Sequence, residues 1–406
     1  MRLDQLLSDP LGAMLHLERW CNDGSPSGLS FGAHQVAVKH RPREGEPDFS
    51  VPTYAVPWER AELSLAAPSP AVAAAVLGDR GPLLAVHPDN PVAPPWPAGP
   101  ALRVVPTASA RTVVALEPEP VLHVKLHYPG LLGRVPRELD AHRVRASVRM
   151  SSALEEIREL LPNSCAYLAE TVGVVARVDG RDLGVVYRET LPRHSAGGPR
   201  GAALVPFFAL FSTDLHAPDD PPLLVQLLDH GAPERGLRAL LDLILESYTA
   251  LVFGQGLVPE DHAQNLLLQL DGDGRPVRIV RRDLLDWYAD LEIRRRRGLP
   301  TDFVRALDVS HDAERAHGGR SYAFDFRLGD YILDPVLECT ARYLGVDRAA
   351  TTEWIRQRIH TLAAHHDIDL KHYFQPYDQT YRYERSLRIW QNSRPLFHLA
   401  GPPTYR

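Results

Sequence analysis

A chain of 406 residues, 44% hydrophobic and 24% charged, is long enough for two to three domains or one large composite body, with the composition of an ordinary globular protein. Its formal net charge of -6 excludes the broad basic footprint of a nucleic-acid binder. The three scattered cysteines, Cys21, Cys165 and Cys339, have no metal or disulfide spacing, and no apolar run reaches the roughly 20 residues of a membrane span, so a reduced cytoplasmic protein is expected.

Residues 1–21 read as one amphipathic helix, with Leu3, Leu6, Leu7, Leu11, Leu15 and Leu17 near helical spacing. Pro, Gly and Ala then dominate to Pro106, with short strands in HQVAVKH and GPLLAVHP and a helix at 68–78. The proline-rich stretch 88–100 cannot be helical and is placed as a boundary, ending a first region at 1–100. A second region, 101–220, carries strand-like alternation in ALRVVPT, RTVVAL and VLHVKLHYP, then a helix at 151–161 capped by serines. CAYLAETVGVVARV and LGVVYRET follow as strands on either side of the turn DGRD. The third region, 221–406, opens with a long helical stretch at 222–254. A hairpin, 266–283, then forms around DGDG, where Asp-Gly supplies the positive φ of the turn. Residues 300–392 read as mostly helical, with a cap at Thr351-Thr352-Glu353. The fold class is mixed α/β (α+β).

The hairpin organises the candidate chemistry. Residues just before its first strand lie beside those just after its second, so His262, Gln264 and Asn265 should share a corner with Arg282 and Asp283. Amide and carboxylate oxygens are hard metal ligands, and Arg and His donors hold phosphate or carboxylate. A second set alternates at a strand start, Ser109, Arg111 and Thr112, with Lys125 in the next strand, a set suited to polyphosphate. A third comprises Arg137 and Arg188, able to bind carboxylates, with Glu189 placed to orient one of them. For each set alone, a solvated polar surface remains the competing reading. The His365, His366, Asp367, Asp369 and His372 cluster fits no standard metal spacing and reads as a solvated helix end. The run 372–390 reads as a packed helix edge from which Arg385 or Arg388 reaches a substrate.

In order, LLAVHP, Ser109-Ala110-Arg111-Thr112, His123-Val124-Lys125, Arg137, Leu168-Ala169-Glu170, Arg188-Glu189, Glu260-Asp261-His262-Ala263-Gln264-Asn265 and Arg282-Asp283 run across residues 80–290. This succession resembles the aerobactin-synthetase family, siderophore synthetases that work independently of nonribosomal peptide synthetases. The resemblance implies a cradle of fingers, palm and thumb with antiparallel sheets and a helical C-terminal part. The three regions would then be a reduced thumb, an ATP-binding fingers sheet and a palm. It implies ATP and Mg2+ as cofactors, a small carboxylic acid as substrate, and an amine or hydroxyl as its acceptor, and it leaves a homodimer open. Ser109, Arg111, Thr112 and Lys125 would bind the ATP phosphates, with Arg188, Glu189, Gln264 and Asn265 completing the nucleotide site. Asn265, Asp283 and Glu260 would hold the metal, and Arg137, His262 and Lys125 would act at the reacting atoms. Members of the family are usually longer. Their N-terminal Gly-His-Pro motif is reduced here to Lys39 and Arg41 of GAHQVAVKHR (32–41), so the substrate end is expected to differ. The cysteine-rich tail of related ferric reductases is absent, which argues against iron reduction.

A kinase-like phosphotransferase is the alternative enzyme class, although Gln264 stands where its catalytic Asp is required and no glycine-rich phosphate loop is present. A non-catalytic nucleotide-binding homologue is the other.

Overall fold

In a computed structural model, which describes residues 1–22, 35–132, 135–228, 231–374, 380–383, 397–400 and 403–406, the first apolar run forms two helices rather than one. They are α1 (Leu3–Ser8) and α2 (Pro10–Trp20). Pro10 lacks the N–H that would continue α1, while the Asp9 carboxylate accepts the Gly12 N–H at 3.0 Å and starts α2 afresh. The expected helix at 68–78 is α3 (Pro70–Val76), capped by Ser69.

Seven strands build the larger sheet: β1 (Phe49–Val51), β2 (Ala61–Leu65), β3 (Leu102–Pro106), β4 (Thr112–Glu117), β5 (Leu122–Leu126), β7 (Glu170–Val178) and β8 (Arg181–Glu189). Their order is β1-β3-β4-β5-β8-β7-β2, antiparallel throughout. The expected DGRD turn closes β7 onto β8, with Asp179 and Gly180 both at positive φ. The proline-rich connector contains no helix. Gly99 N–H meets Thr53 O at 2.9 Å, and strands from before the connector (β1, β2) and after it (β3) lie in the same large sheet.

Between β5 and β7 the chain forms α4 (Ala141–Glu156) and β6 (Cys165–Tyr167). The helix starts ten residues before the expected 151, because Asp140 caps it through the Arg143 N–H at 2.8 Å. The serines expected as caps lie inside the helix. The smaller sheet runs β6-β11-β10-β9, with β9 (Ala203–Pro206), β10 (Leu266–Leu270) and β11 (Pro276–Arg281). The β10–β11 hairpin is the one expected, and Gly274 takes the positive φ at its turn. The β6–β11 pair is parallel.

The stretch 222–254 is broken into a short helix (Leu223–Leu227), α5 (Pro233–Thr249) and a π-helical end (Ala250–Gly254). A second π-helix (Tyr322–Leu333) leads into α6 (Asp334–Leu344) and α7 (Arg348–His365). Asp347, not the threonines, caps α7, accepting the Ala350 N–H at 3.0 Å. Leucines recurring along α5 (Leu237, Leu240, Leu241, Leu245) pack with Leu266, Leu268 and Ile279 of the hairpin in the largest core. A second core lies on one face of the seven-stranded sheet, around Val113, Val124 and Tyr187. The architecture is thus mixed α/β, with antiparallel sheets and a helical C-terminal part. Among the described residues no helix is long and apolar enough to cross a membrane. Arg385 and Arg388 lie outside the described residues.

Because Leu241 is fully buried on α5, Leu241→Ala should lower the unfolding free energy by about 2–5 kcal/mol in urea denaturation, with the far-ultraviolet circular dichroism of the folded state unchanged.

Candidate functional site

Strand alternation sends Val113, Val124 and Tyr187 into the core and leaves polar side chains beside Val114 and Val186 on the opposite face of the large sheet. Thr112 of β4 stands opposite Lys125 of β5, and His123 of β5 stands opposite Arg188 of β8. All four therefore share one face. Ser109 does not lie on the strand as expected. It sits with Arg111 in a turn before β4, where Ala110 has φ +61°. The Ser109 hydroxyl accepts the Thr112 N–H at 3.2 Å, which fixes the turn. Arg111 is buried, and its Nη1 donates to the Arg137 carbonyl at 3.1 Å. Burial, helped by the charge of Arg137, pushes the Arg111 guanidinium down to about 10.

The hairpin supplies the facing residues, and the expected corner forms. Arg282 N–H donates to Asn265 O at 2.9 Å, and Arg282 Nε to Gln264 O at 2.8 Å. His262 Nδ1 accepts the Gln264 N–H at 3.3 Å, so the neutral ring carries its proton on Nε2. Withdrawal from water, reinforced by Arg327, pushes that imidazole down to about 3. Asn265 Nδ2 donates to Glu260 Oε2 at 3.3 Å, which leaves its amide oxygen to accept. Glu260 pairs with Arg327 at 2.6 Å, yet burial and the charges of Asp286 and Asp283 push its carboxyl up to about 7. Asp283, two residues past β11, has φ +62° and pairs with Lys125. Burial alone would raise the Asp283 carboxyl; Lys125, Arg188 and Arg111 overcome it and hold the group far below the usual carboxylate range.

Two buried carboxylates missed in the sequence tie these parts together. Glu170 accepts Arg188 Nη2 at 2.6 Å, the Leu284 N–H at 3.2 Å and the Ser147 hydroxyl. Glu18 of α2 accepts the Ala108 N–H at 3.2 Å and pairs with Arg282. Arg327, on the second π-helix, is the third omission. Glu18 follows Met14 by one turn on the buried side of α2, and that position was the available signal. Glu170 stood in the Leu-Ala-Glu motif without a role.

Glu189 is not brought to the site. As the strand neighbour of Arg188 it points the other way, accepting the Ser69 N–H and Arg193 Nη2, both at 2.9 Å. Lys39 is exposed, and Arg41 holds the Val36 carbonyl at 2.9 Å. The His365–His372 segment forms helix ends, with the Asp369 carboxylate accepting the Lys371 N–H at 3.0 Å. His40, His87 and Asp89 cluster elsewhere, but His87 Nδ1 accepts the Asp89 N–H at 3.1 Å, so its Nε2 keeps a proton and is a poor metal ligand.

This architecture is the fold of siderophore synthetases that act independently of nonribosomal peptide synthetases, so the resemblance in the motifs holds at the level of the fold. The petrobactin biosynthesis protein AsbB from Bacillus anthracis superposes with a TM-score of 0.70 at 16% identity, over 97% of this chain and 75% of that one. Aerobactin synthetase IucC from Klebsiella pneumoniae superposes with a TM-score of 0.60 at 15% identity, over 92% of this chain and 77% of that one. ATP-bound aerobactin synthetase IucA from Klebsiella pneumoniae gives a TM-score of 0.58 at 16% identity, over 82% of this chain and 64% of that one. A family model described as ferric iron reductase FhuF-like transporter matches residues 237–387. No curated protein matches the chain in sequence.

The buried charges generate three predictions. The Glu170–Arg188 pair is almost fully enclosed, so Glu170→Ala leaves an uncompensated guanidinium and should destabilise the fold by about 3–5 kcal/mol in urea denaturation. For His262 the folded value, about 3, lies below the ordinary 6.5, so the unfolded chain binds more protons in that window and stability falls as pH drops through it. For Glu260 the folded value, about 7, lies above the ordinary 4.5, so stability falls as pH rises through that window. The melting temperature of His262→Asn should therefore gain on wild type as pH falls from 6.5 toward 3. That of Glu260→Gln should gain as pH rises from 4.5 to 7.

Proposed function

We propose that this chain is an ATP-dependent synthetase that activates a carboxylic acid as an acyl adenylate and joins it to an amine or hydroxyl acceptor in siderophore or related biosynthesis. The observation that carries the reading is the confrontation of two charged sets. Arg111, Lys125 and Arg188, from the large sheet and the turn that precedes β4, converge on Asp283, and Asp283 in turn acts on Glu260, which accepts from Asn265. A polyphosphate requires the first set and a divalent cation the second.

Mg2+ fits the second set chemically. Its oxygen donors are carboxylates and one amide, and Asp286 and Asp283 lie close enough to Glu260 to oppose its ionisation, a repulsion a cation would relieve. Bound between Asp283, Asn265 and Glu260, the cation would neutralise phosphate charge. The chain's own residues do the rest. Ser109, in its fixed turn, offers a hydroxyl, and Arg111, Thr112 and Lys125 offer donors to the phosphates. Arg137 and the Nε2–H of His262 hold the acid's carboxylate or the oxygens of the α-phosphate. The carboxylate oxygen attacks the α-phosphorus, a P–O bond forms, and the bond to the bridging oxygen breaks as pyrophosphate leaves. The acceptor then attacks the acyl carbon, loses its proton and displaces AMP. Fixed donors placed where charge develops on phosphorus lower this barrier. ATP in the IucA structure supports the nucleotide assignment. The substrate assignment to a carboxylic acid rests on the reaction class alone.

The test is acid-dependent exchange of labelled pyrophosphate into ATP across a broad panel of acids. Exchange with at least one acid is expected, and Lys125→Met and His262→Ala should each reduce its rate by about 100- to 1,000-fold. No exchange with any acid overturns the reading, and ADP as the nucleotide product would instead identify a phosphotransferase.

A further inference from the structure

The Lys125 side chain is 1% exposed and that of Asp283 28% exposed, and the two form a direct ion pair across the junction of the two sheets. Each has a different task in the nucleotide reading, on which this inference rests: Lys125 meets phosphate and Asp283 meets the metal. A phosphate approaching Lys125 also approaches the Asp283 carboxylate, and like charges repel. A cation approaching Asp283 meets the Lys125 ammonium in the same way. In surroundings of low dielectric both repulsions are large. Arriving together, the phosphate replaces Asp283 as the partner of Lys125 while the cation replaces Lys125 as the partner of Asp283. No buried charge is then left alone.

We propose that the Lys125–Asp283 pair is a latch that makes nucleotide and divalent cation bind cooperatively, each weakly without the other. Asp286 is the natural control. It also bears on Glu260, but its partner is Arg305 rather than Lys125.

Calorimetric titration of the full chain with ATP in EDTA, and electron paramagnetic resonance titration with Mn2+ alone, test the latch. Asp283→Asn frees Lys125, so its metal-free ATP affinity should exceed that of wild type by about fivefold or more, while its gain in affinity on adding Mg2+ shrinks. Asp286→Asn, which removes the same charge without opening the pair, should change metal-free affinity by less than about twofold. Lys125→Met should bind Mn2+ alone about fivefold more tightly than wild type. Metal-free ATP affinity in Asp283→Asn equal to or below wild type, or a gain matched by Asp286→Asn, overturns the latch. If Asp283→Asn does not fold, the Mn2+ result with Lys125→Met decides in the same way, and no gain there overturns it. Wild type that binds no ATP even with Mg2+ would instead sink the nucleotide reading. Wild type that binds it normally while neither variant gains affinity would sink only the latch.

Discussion

The carboxylate of Glu170 is the point on which the two sheets agree. It begins β7 in the large sheet, takes the guanidinium of Arg188 across the strand pair, and accepts the N–H of Leu284 just beyond the hairpin of the smaller sheet. Ser147 of α4 donates to it as well, and Ser151 of the same helix accepts its N–H at 2.7 Å. A charge this deeply enclosed is tolerated only when nearly all its lone pairs are used. That requirement turns four separate elements into one geometry. Asp283, the residue before Leu284, inherits its place from it, including a left-handed backbone that Asp accepts more readily than most side chains.

Around that fixed point the charges are deliberately unequal. On the large sheet, Arg111, Lys125 and Arg188 crowd cations toward Asp283 and drive its carboxyl down. On the hairpin side, burial drives the Glu260 carboxyl up, and Asp286 and Asp283 add to it while Arg327 opposes. His262 remains uncharged between them, first because it is withdrawn from water and then because Arg327, Arg137 and Arg282 oppose a further positive charge there. Cations therefore converge on Asp283 in one half of the junction, while in the other Asp286 and Asp283 stand close enough to Glu260 to oppose its ionisation.

Local order was readable from local pattern. The β10–β11 hairpin and the β7–β8 turn follow from Asp-Gly sequences between alternating strands, and the shared face of Thr112, His123, Lys125 and Arg188 follows from period two. The errors arose where a short-range signal competed with a stronger neighbour. Ser151 resembled a cap, but Asp140 captured the helix start earlier. Leucine spacing across residues 1–21 hid the break at Pro10. Arg188 and Glu189 were read as a unit because they are adjacent, yet adjacency on a strand guarantees opposite faces. Glu18 and Arg327 went unnoticed, and Glu170 was quoted in its motif without a role, for a different reason. Arg282 is 264 positions from Glu18 and Glu260 is 67 from Arg327, so only the tertiary fold makes those pairs neighbours, whereas Glu170 meets Arg188 across the β7–β8 pair, where strand register decides the contact.

The long-range ties also differ in kind from the residues they support. Glu18 and Glu170 are fully enclosed, whereas Glu260, His262, Gln264 and Asp283 are half-buried. Enclosed carboxylates hold backbone N–H groups and guanidiniums in fixed directions; half-buried groups can still exchange a protein partner for a ligand. Glu18 illustrates the consequence. Its two oxygens join the turn before β4, through Ala108, to Arg282 at the end of the hairpin. The hydroxyl of Ser109 and the amide of Asn265 come from opposite sheets, so a shift of α2 would move one against the other. On the proposed reading the first helices therefore set the spacing between the phosphate donors and the metal oxygens, although they contribute no atom to either.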